Sequence, residues 1–346
     1  MSAYQVAVYG ATGHTGRFVV NELERRGVTV LRIARGAPTE SFSERNGKRL
    51  DWVRASCDEP EALDRALDRA DAVINCAGPF LDTAPAVVEA ALRTGTHYFD
   101  IAAEQRSVRQ TLATYAVEAM DRGIVVLPAM AFYGGLADLL VAQLCIGHPK
   151  VDEVLIGIAL DHWHPTAGTR RTGERNTARR VIVSEGRLAP LAASPSGGRW
   201  RFPEPFGELP VASVPLSEII TISKHIAATR IESFLNEAPL QDLAKADIPP
   251  PTPVEASGKS SQTFVMDVSV TANGESKRIA AFGRDIYAVS APLVVEACMR
   301  VLSRRDGQGG TFAPAELFDP QEFLAAIGSD IRVQHISHPR PMRTLQ

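Results

Sequence analysis

Three glycines near the start of the chain restrict its fold more than any other feature. The apolar stretch Tyr4–Tyr9 runs into Gly10, Gly13 and Gly16, and a helical pattern of apolar residues follows from Phe18. In this spacing one glycine permits a sharp turn, one lets the backbone approach a pyrophosphate, and one lets the helix pack on the strand. The helix N-terminus then presents N–H groups and a positive dipole end to an anion. The pattern predicts a dinucleotide site; the alternative is a purely structural glycine turn. The residues predicted to contact the cofactor here are Gly10, Thr12, Gly13, His14, Thr15 and Gly16.

Composition limits the classes of protein to consider. With 346 residues the chain is long enough for two domains, and 45% hydrophobic and 22% charged residues are typical of a soluble globular protein. A net charge of −3 argues against nucleic acid or an anionic membrane surface as the main partner. No apolar run approaches the roughly 20 residues of a membrane span, and no signal peptide precedes the first strand. We therefore expect a cytoplasmic protein. The four cysteines are far apart, so we expect reduced thiols and no metal site.

After the glycines, strand and helix patterns alternate, as a parallel sheet requires. Helices are predicted from 17 to 26, through Leu63 and Leu67, through Val87 to Leu92, and from Val108 to Met120. Such crossovers give right-handed βαβ units, so the pattern predicts an α/β fold with a Rossmann doubly wound parallel sheet. The predicted strands after the first are 29–34, 50–55, 72–77, 97–101 and 124–127.

The residue after the second strand favours one cofactor over another. An acidic residue there would bind the ribose 2′-hydroxyl of NAD, but the chain reads Ile33-Ala34-Arg35-Gly36. The guanidinium of Arg35 suits a 2′-phosphate, so we expect NADP(H) in preference to NAD(H); the alternative is an exposed surface arginine. Asp58 is predicted to meet the adenine edge, or else to cap a helix. The turn Ala77-Gly78-Pro79 is predicted to approach the nicotinamide half.

Beyond residue 150 the pattern changes to a mixed sheet, which predicts an inserted α+β substrate and dimerisation domain. Strands are predicted over 154–160, 181–183 and 219–222, and a hairpin over 263–272 and 277–283 with its turn at Asn273-Gly274. A helix from 289 to 304 is expected to return to the first domain. The predicted boundaries are 1–130 completed by 285–346 for the Rossmann domain, and 131–284 for the inserted domain.

Candidate proton donors follow strand ends in the second half of the chain. His162 and His164 flank Trp163, and an imidazole with a pKa of about 6.5 can act as a general acid. Histidines in such positions are more often hydrogen-bonded packing residues. Tyr133 follows the last strand of the first domain, where a phenol can reach a nicotinamide; a core tyrosine is equally consistent with the pattern. The predicted catalytic set is therefore Tyr133, His162 and His164.

Other charged residues have competing interpretations. An arginine cluster is predicted to place 171, 175 and 179 on one helical face, where it could hold a carboxylate or phosphate. The alternative is a solvated face balanced by Glu174. Lys224 and His225 rank below Tyr133, and Asp100 with Glu104 is expected to organise the sheet edge. The arginines of the cluster are Arg170, Arg171, Arg175, Arg179 and Arg180.

Several motifs resemble the saccharopine dehydrogenase-like oxidoreductases, in the short branch that includes trans-acting enoyl reductases. They are Gly10–Arg17, Ile33-Ala-Arg35, Asn75–Phe80, Tyr98–Glu104, Pro165–Thr169, Gly186–Leu191, Pro215–Glu218 leading into a strand, and Ala291–Ala297. The resemblance implies an NAD(P)-binding Rossmann domain, an inserted substrate domain, a homodimer and reduction of an unsaturated bond by hydride. The stretch Ala131–Asp138 departs from the glycine and small polar residue common in the family, so the substrate is not carried over.

Three functions compete on these observations. An NADPH-dependent reductase of a small or lipid-like molecule, anionic or neutral, accounts for the most features. A short-chain type dehydrogenase requires a Tyr-x-x-x-Lys pair, and none of the six tyrosines has a lysine four residues later. A non-enzymatic NADP-binding sensor or scaffold would have the same fold and remains the alternative.

Overall fold

The structure is a computed structural model that describes residues 4–36, 44–45, 48–49, 51–148, 150–192, 197–337 and 342–344. The chain divides into two compact units. Unit 1 comprises Met1–Ala131, Gly168–Asn176 and Ser290–Phe312, and unit 2 comprises Phe132–Ala167, Thr177–Val289 and Ala313–Gln346. The last segment lies with unit 2, whereas the predicted boundaries put 285–346 with the nucleotide-binding domain. The segment Gly168–Asn176 lies with unit 1 although it falls inside the predicted insertion.

Unit 1 contains a seven-stranded sheet whose neighbouring strands are all parallel. The strands are β1 (Gln5–Tyr9), β2 (Thr29–Ala34), β5 (Trp52–Arg54), β6 (Ala72–Asn75), β7 (His97–Asp100), β8 (Val125–Leu127) and β17 (Gly310–Thr311). Between β2 and β5, β3 (Glu44–Arg45) and β4 (Lys48–Arg49) pair with each other. The order across the sheet is β17-β8-β7-β6-β1-β2-β5. The predicted doubly wound sheet is confirmed, and the chain reverses its direction of winding at β1, beside which ligands bind in such sheets.

The helices of unit 1 bury apolar side chains, apart from Ala167–Arg175, which contains no buried residue. They are α1 (His14–Arg25), α2 (Pro60–Leu67), α3 (Phe80–Thr94), α4 (Gln105–Thr114), α5 (Ala116–Asp121), α7 (Ala167–Arg175) and α10 (Ser290–Ser303). The predicted helix from Val108 to Met120 is wrong in one respect, because it breaks at Tyr115. That residue leaves helical geometry, buries its ring and donates a hydrogen bond to Glu89 at 3.1 Å. Helix α10 packs on α1, and the guanidinium of Arg26 joins Glu22 to Glu296 between them.

Unit 2 contains a mixed sheet. Its strands are β9 (Lys150–Leu160), β10 (Val181–Ser184), β11 (Arg187–Pro190), β12 (Gly198–Arg201), β13 (Glu208–Ser213), β14 (Ala227–Asn236), β15 (Thr263–Ala272), β16 (Glu275–Arg284), β18 (Arg332–His335) and β19 (Met342–Thr344). The main path runs β18-β16-β15-β9-β14-β13-β12-β19, with β10 between β11 and β14. Strands β9 and β14 are parallel and the other described pairs are antiparallel. The predicted hairpin at Asn273-Gly274 is confirmed, since both residues adopt the positive φ that such a turn needs.

The helical elements of unit 2 include a segment, 219–222, that was predicted to be a strand. They are a π-helical turn (Phe132–Leu136), α6 (Ala137–Cys145), α8 (Ser217–His225), α9 (Glu237–Ala244), α11 (Pro314–Leu317) and α12 (Pro320–Ala326). The predicted strand over 219–222 is wrong because these residues lie in α8, so Pro215–Glu218 leads into a helix. The β-branched run Ile219–Ile222 favours a strand locally, but the helix buries Ile219, Ile220 and Ile222. Tertiary burial therefore outweighs local propensity here.

The core of the unit 2 sheet is built around one tryptophan. Trp200 is fully buried among Phe202, Phe234 and their neighbours, and its indole N–H donates to Asp267 Oδ2 at 2.8 Å. Asp267 also accepts from Arg278 Nε at 2.8 Å, so the buried carboxylate is paired. Across the described part of the chain, none of the helices is both long and apolar enough to cross a bilayer.

Candidate functional site

The turn after β1 has the geometry that the glycine spacing predicts. Gly10 has φ +82°, its N–H donates to Ile33 O at 2.9 Å, and a Cβ there would lie 2.9 Å from Ala77 Cβ. Only glycine therefore fits, and the turn is held against both β2 and the segment after β6. The predicted cofactor residues Gly10 and Ala77 are thus brought together at the carboxyl ends of neighbouring strands.

The other two glycines have different roles. A Cβ on Gly16 would lie 2.2 Å from Gly10 O, so Gly16 allows α1 to pack on the turn. Apart from its chain neighbours, a Cβ on Gly13 would meet only one atom of the described residues within 4 Å, Gly10 O at 3.1 Å. Gly13 is the N-cap residue of α1, with extended backbone and no side-chain cap. The space beside Gly13 is therefore open for a phosphate group at the N-terminus of α1. Thr12, His14 and Thr15 lie beside Gly13 in sequence, and the His14 ring packs edge-on against Phe18 at 5.3 Å.

Two arginines follow adjacent strands. Arg35 comes directly after β2 and is exposed, and its carbonyl accepts a hydrogen bond from Arg54 Nε at 3.2 Å. Arg54 ends β5, where it is in register with Ala34, and its side chain is 68% exposed beside Glu59. Residues 37–43 lie outside the described part of the chain. Arg54 was missed by the sequence analysis, although its place at the end of the strand beside β2 is a signal that could have found it.

The loop after β5 excludes one of the two predicted roles of Asp58, that of a helix N-cap. Helix α2 begins after Glu59, so Asp58 is not its N-cap, and instead Asp58 lies within 3.4 Å of Ser56 Oγ. Cys57 Sγ is 3.0 Å from the hydroxyl of Tyr9 at the end of β1. This contact brings the loop that carries Asp58 to the same edge of the sheet as Gly10. Contact of Asp58 with adenine stays a prediction.

The segment after β6 is fixed by buried side chains. Asn75 Oδ1 accepts the N–H of Ala77 at 3.0 Å, and Glu104 Oε1 accepts the N–H of Phe80 at 2.9 Å. A Cβ on Gly78 would lie 2.9 Å from Thr172 Oγ1 of α7, which covers this turn within unit 1. Pro79 is the N-cap residue of α3. The predicted nicotinamide turn is therefore a rigid part of unit 1.

Two carboxyl groups lie beside that turn. Asp100 accepts N–H groups from Ala102 at 2.9 Å and Ala129 at 2.7 Å, and it accepts the hydroxyl of Tyr98 at 2.8 Å. Glu104 is 2% exposed, its Oε2 atom has no hydrogen-bond partner among the described residues, and burial raises its pKa to about 7. Both carboxyl groups bind backbone N–H groups of unit 1.

The three predicted proton donors, Tyr133, His162 and His164, all lie in unit 2 and form two separate ring contacts. The ring of Tyr133, in the π-helical turn, lies 6.2 Å from the ring of Trp163, whose indole N–H donates to Tyr287 Oη at 2.9 Å. The Tyr133 hydroxyl is buried, and burial raises its pKa well above the ordinary value, so it stays protonated. His162 Nδ1 lies 2.9 Å from Asp161 Oδ1, and the rings of His162 and His164 are 4.7 Å apart.

The predicted arginine face does not exist as proposed. Helix α7 ends at Arg175, so Arg179 lies outside it and cannot share a helical face with Arg171 and Arg175. Arg175 pairs with Asp82 at 2.8 Å, not with Glu174, and Arg179 Nε donates to Leu191 O at 3.0 Å. Gly168 and Thr169, which end the motif Pro165–Thr169, lie in the first turn of α7.

Arg180, the last arginine of the cluster, is half-buried. Arg180 precedes β10, and burial lowers its pKa while the neighbouring charge of Glu218 acts in the opposite direction. Lys224 and His225 occupy the last turn of α8 and pair with Glu316 and Asp138 at 2.5 and 2.6 Å. Within the described ranges, no group of three or more potential ligands could hold a metal ion.

Comparison with known proteins identifies the first unit. Residues 6–127 match the model of the saccharopine dehydrogenase NADP binding domain. A lipid droplet localized protein of Caenorhabditis elegans is 31% identical over 152 residues, which cover 40% of this chain and 35% of that protein. A trans-acting enoyl reductase of Mycobacterium tuberculosis is 30% identical over 150 residues, 41% of this chain and 35% of that protein. The chain thus matches about a third of the length of these curated relatives.

A solved structure extends the likeness to both units. Saccharopine dehydrogenase (L-Glu forming) of Saccharomyces cerevisiae superposes with a TM-score of 0.68 at 12% identity, over 97% of this chain and 100% of that one. This likeness shows the fold. The resemblance to the saccharopine dehydrogenase-like oxidoreductases is confirmed, and it is carried in sequence by the nucleotide-binding part.

Proposed function

We propose that this protein, whose residues 6–127 form an NADP-binding domain of the saccharopine dehydrogenase type, is an NADP(H)-dependent oxidoreductase. It would transfer hydride to a C=C, C=N or C=O bond of a small or lipid-like substrate. The observation that carries the proposal is the open space beside Gly13, at the strand where the sheet reverses its winding. The relative named as an enoyl reductase supports this class of chemistry.

Unit 1 offers a place for each part of the cofactor. The N-terminus of α1 and the Gly13 turn would hold the pyrophosphate, and Ala77-Gly78-Pro79 would lie against the nicotinamide half. Gly10, Thr12, His14, Thr15 and Gly16 complete the cradle, with Asp58 toward the adenine. When bound, the nicotinamide supplies the hydride. The protein contributes binding and orientation, because the turn after β6 is held by Asn75 and Glu104 before any cofactor arrives.

Preference for NADP(H) rests on Arg35, with Arg54 as a second contact. Both guanidinium groups are at the end of the β2–β5 pair, where the adenosine ribose lies in this fold. Arg35 and Gly36, the described residues after β2, include no acidic side chain to accept a ribose 2′-hydroxyl. Two exposed arginines without such an acid favour a 2′-phosphate.

Three residues of unit 2 are candidates for polarising the substrate or donating a proton. His162 has a carboxylate neighbour, Asp161, that can orient its ring, as general acids require. His164 lies next to His162 and can exchange a proton with it. Tyr133 keeps its proton at all physiological pH values, so we assign it hydrogen-bond donation and not proton transfer.

The first experiment is calorimetric titration of the purified protein with NADPH and, separately, with NADH. Tight binding of NADPH and weak binding of NADH is the expected result, and failure to bind either nucleotide would overturn the proposal. A screen for substrate-dependent NADPH oxidation follows. Tight binding without oxidation across unsaturated acids, imines and acyl thioesters would favour the alternative, a non-enzymatic NADP-binding sensor or scaffold.

We also propose that the protein acts as a cytoplasmic homodimer. Support for the dimer comes from the family resemblance, which implies association through the sheet of unit 2. Light scattering of the purified chain should give about twice the mass of 37.3 kDa, and a monomer at working concentration would contradict this. Fractionation of the source cells tests the compartment, since one relative is named for lipid droplets.

A further inference from the structure

Unit 2 contains a buried polar cluster at the start of α8, which consists of Tyr133, Arg180, Ser217 and Glu218. Ser217 and Glu218 are the first two residues of α8, and both are fully buried. Glu218 Oε1 accepts the N–H of Leu216 at 2.8 Å and contacts the Ser233 hydroxyl. Its second oxygen, Oε2, is also buried but has no hydrogen-bond partner among the described residues.

Two further oxygen atoms of the cluster share this property. The hydroxyls of Tyr133 and Ser217 are buried, and neither has a hydrogen-bond partner in the described part of the structure. The turn that carries Tyr133 packs on α8, where Thr221 Oγ1 lies 3.5 Å from Gly134 O. Folded proteins pair nearly all buried polar atoms, because an unpaired one destabilises the fold. Three such oxygens on adjoining elements are therefore available to bind a polar group from outside the chain.

Arg180 supplies the charge of the cluster. It precedes β10, which pairs with β14 and packs on α8, and its charge interacts with both Glu218 and Tyr133. Its guanidinium has no carboxylate within salt-bridge distance among the described residues, although Glu218 is its neighbour. Burial raises the pKa of Glu218 to about 7, so this carboxyl group is partly protonated at neutral pH and neutralises Arg180 only in part. The cluster therefore has a positive charge and several hydrogen-bond donors.

We propose that the buried polar cluster binds the carboxylate of a small organic acid, with Arg180 as counter-ion and Tyr133, Ser217 and Glu218 as hydrogen-bond donors. A carboxylate has one negative charge and two acceptor oxygens, which matches one arginine and these donors. A phosphate dianion fits less well, because a single arginine beside a carboxyl group cannot balance it. In taking the acid to be the reduced substrate, the inference rests on the proposed function; carboxylate binding does not depend on it.

Proton uptake on binding is a specific consequence. An anion next to Glu218 disfavours its ionised form, so above pH 7 each bound carboxylate should draw a proton onto Glu218. The other groups that face it are Arg180, which stays charged, and Tyr133, which stays neutral. The pair formed by His225 and Asp138 lies at the opposite end of α8. The affinity should fall up to tenfold for each pH unit above 7.

The test is calorimetry of the full chain with acetate, pyruvate and hexanoate, and with uncharged methyl pyruvate as control. Each titration is run at pH 7.5 in two buffers of different ionisation enthalpy, which reports protons taken up. At least one acid should bind with proton uptake, and methyl pyruvate should not. In Arg180→Ala the affinity should fall tenfold or more, whereas Arg179→Ala, next to it and exposed, should bind as the parent protein does. Glu218→Gln should keep binding but lose both the proton uptake and the pH dependence.

The opposite results would overturn the inference. These are no binding of any of the three acids, equal binding by Arg180→Ala and Arg179→Ala, or unchanged proton uptake in Glu218→Gln. NADPH binding by each variant, measured in parallel, reports whether unit 1 remains folded and whether the proposed function stands. A parent protein that binds carboxylate but no NADPH would remove the proposed function and leave this site in place.

Discussion

Nε2 of His225, at the end of α8, lies 2.6 Å from Oδ1 of Asp138 on α6. The second oxygen of Asp138 accepts the N–H of Ala315 in α11 at 2.8 Å, so one buried carboxylate joins three helices of unit 2. The pairing with Asp138 outweighs burial and raises the pKa of His225 above its ordinary value.

The His225 pair should make the stability of unit 2 depend on pH. Because the pKa of His225 is higher in the folded than in the unfolded protein, the pair stabilises the fold fully below the unfolded pKa of about 6.5. This stabilisation is lost as pH rises through the folded pKa. His225→Gln should therefore lower the free energy of unfolding by about 3 kcal/mol at pH 6 and by less at pH 9. Urea unfolding at both pH values measures this. His148→Gln serves as control, and an equal loss at both pH values would contradict the assignment.

Glu104 should also make the fold less stable as pH rises, because burial disfavours its ionisation. The pKa of Glu104 is about 7 in the folded protein, against an ordinary 4.5, so its ionisation is disfavoured in the folded protein. The free-energy cost of ionising it therefore grows as pH rises between these two values. Above pH 7 it amounts to about 3 kcal/mol. Glu104→Gln keeps the acceptor for Phe80 and removes the ionisable group, so it should gain stability over the parent protein between pH 5 and pH 8. Glu22→Gln is the matched control: its pKa is lowered by Arg25 and Arg26, so it should lose stability over the same interval.

The glycines should separate binding from folding. Gly16→Ala places a Cβ 2.2 Å from a backbone oxygen that cannot move freely, and we expect a loss of about 3 kcal/mol in stability. Gly13→Ala meets a single atom at 3.1 Å, so its stability should change by less than about 1 kcal/mol, while NADPH affinity falls roughly tenfold or more. Denaturation of both variants measures their stability, and calorimetry measures their affinity for NADPH. Normal NADPH affinity in Gly13→Ala would place the pyrophosphate elsewhere.

Arg35 should distinguish the two nicotinamide cofactors. Arg35→Asp removes a charge-assisted contact to the 2′-phosphate, so NADPH affinity should fall roughly tenfold to a hundredfold while NADH affinity changes by less than about threefold. Arg54→Asp should show the same selectivity with a smaller effect. Arg65→Asp, an exposed position on α2, controls for the change in net charge. Equal losses of affinity for NADPH and NADH would show that neither arginine binds the 2′-phosphate.

Gly157 and Trp200 should be coupled in unfolding measurements. A Cβ on Gly157 would lie 2.2 Å from Trp200 Cε2, so Gly157→Ala should cost about 3 kcal/mol. Trp200→Leu is costly by itself, but in the double variant the added methyl group occupies vacated space. The double variant should therefore be about 2 kcal/mol more stable than the sum of the single losses, as measured by circular dichroism in urea. Additive losses would mean that the sheet relaxes around Gly157 alone.

The nucleotide-binding half could be predicted from sequence because its signals are local. Gly10, Gly13 and Gly16 restrict backbone geometry by themselves, and the apolar strands after them are short and separated by helical patterns. Even so, sequence could not show that Gly13 is the open position and Gly16 the packed one. That distinction depends on where Gly10 O lies in three dimensions.

The second unit was predicted less well because its structure depends on contacts distant in sequence. Ile219–Ile222 is helical because α8 buries these side chains. Arg179 lies outside α7 because that helix ends four residues earlier, at Arg175. Glu218 ends one of the motifs of the family resemblance but has no role assigned from sequence, and it becomes notable only when the fold buries it beside Arg180 and Tyr133. Arg54 likewise becomes a candidate only once β5 is known to pair with β2.

The three-part construction of unit 1 has a consequence for how the protein is made. The edge strand β8 is paired by Gly310 and Thr311, and α1 is covered by α10, so residues near position 310 complete a layer that begins at residue 5. During synthesis the first unit to emerge is therefore finished late, since its sheet keeps an open edge until Thr311 has left the ribosome. A fragment cut at the apparent boundary after residue 131 would retain every glycine of the nucleotide turn and still lack the pieces that close its own core.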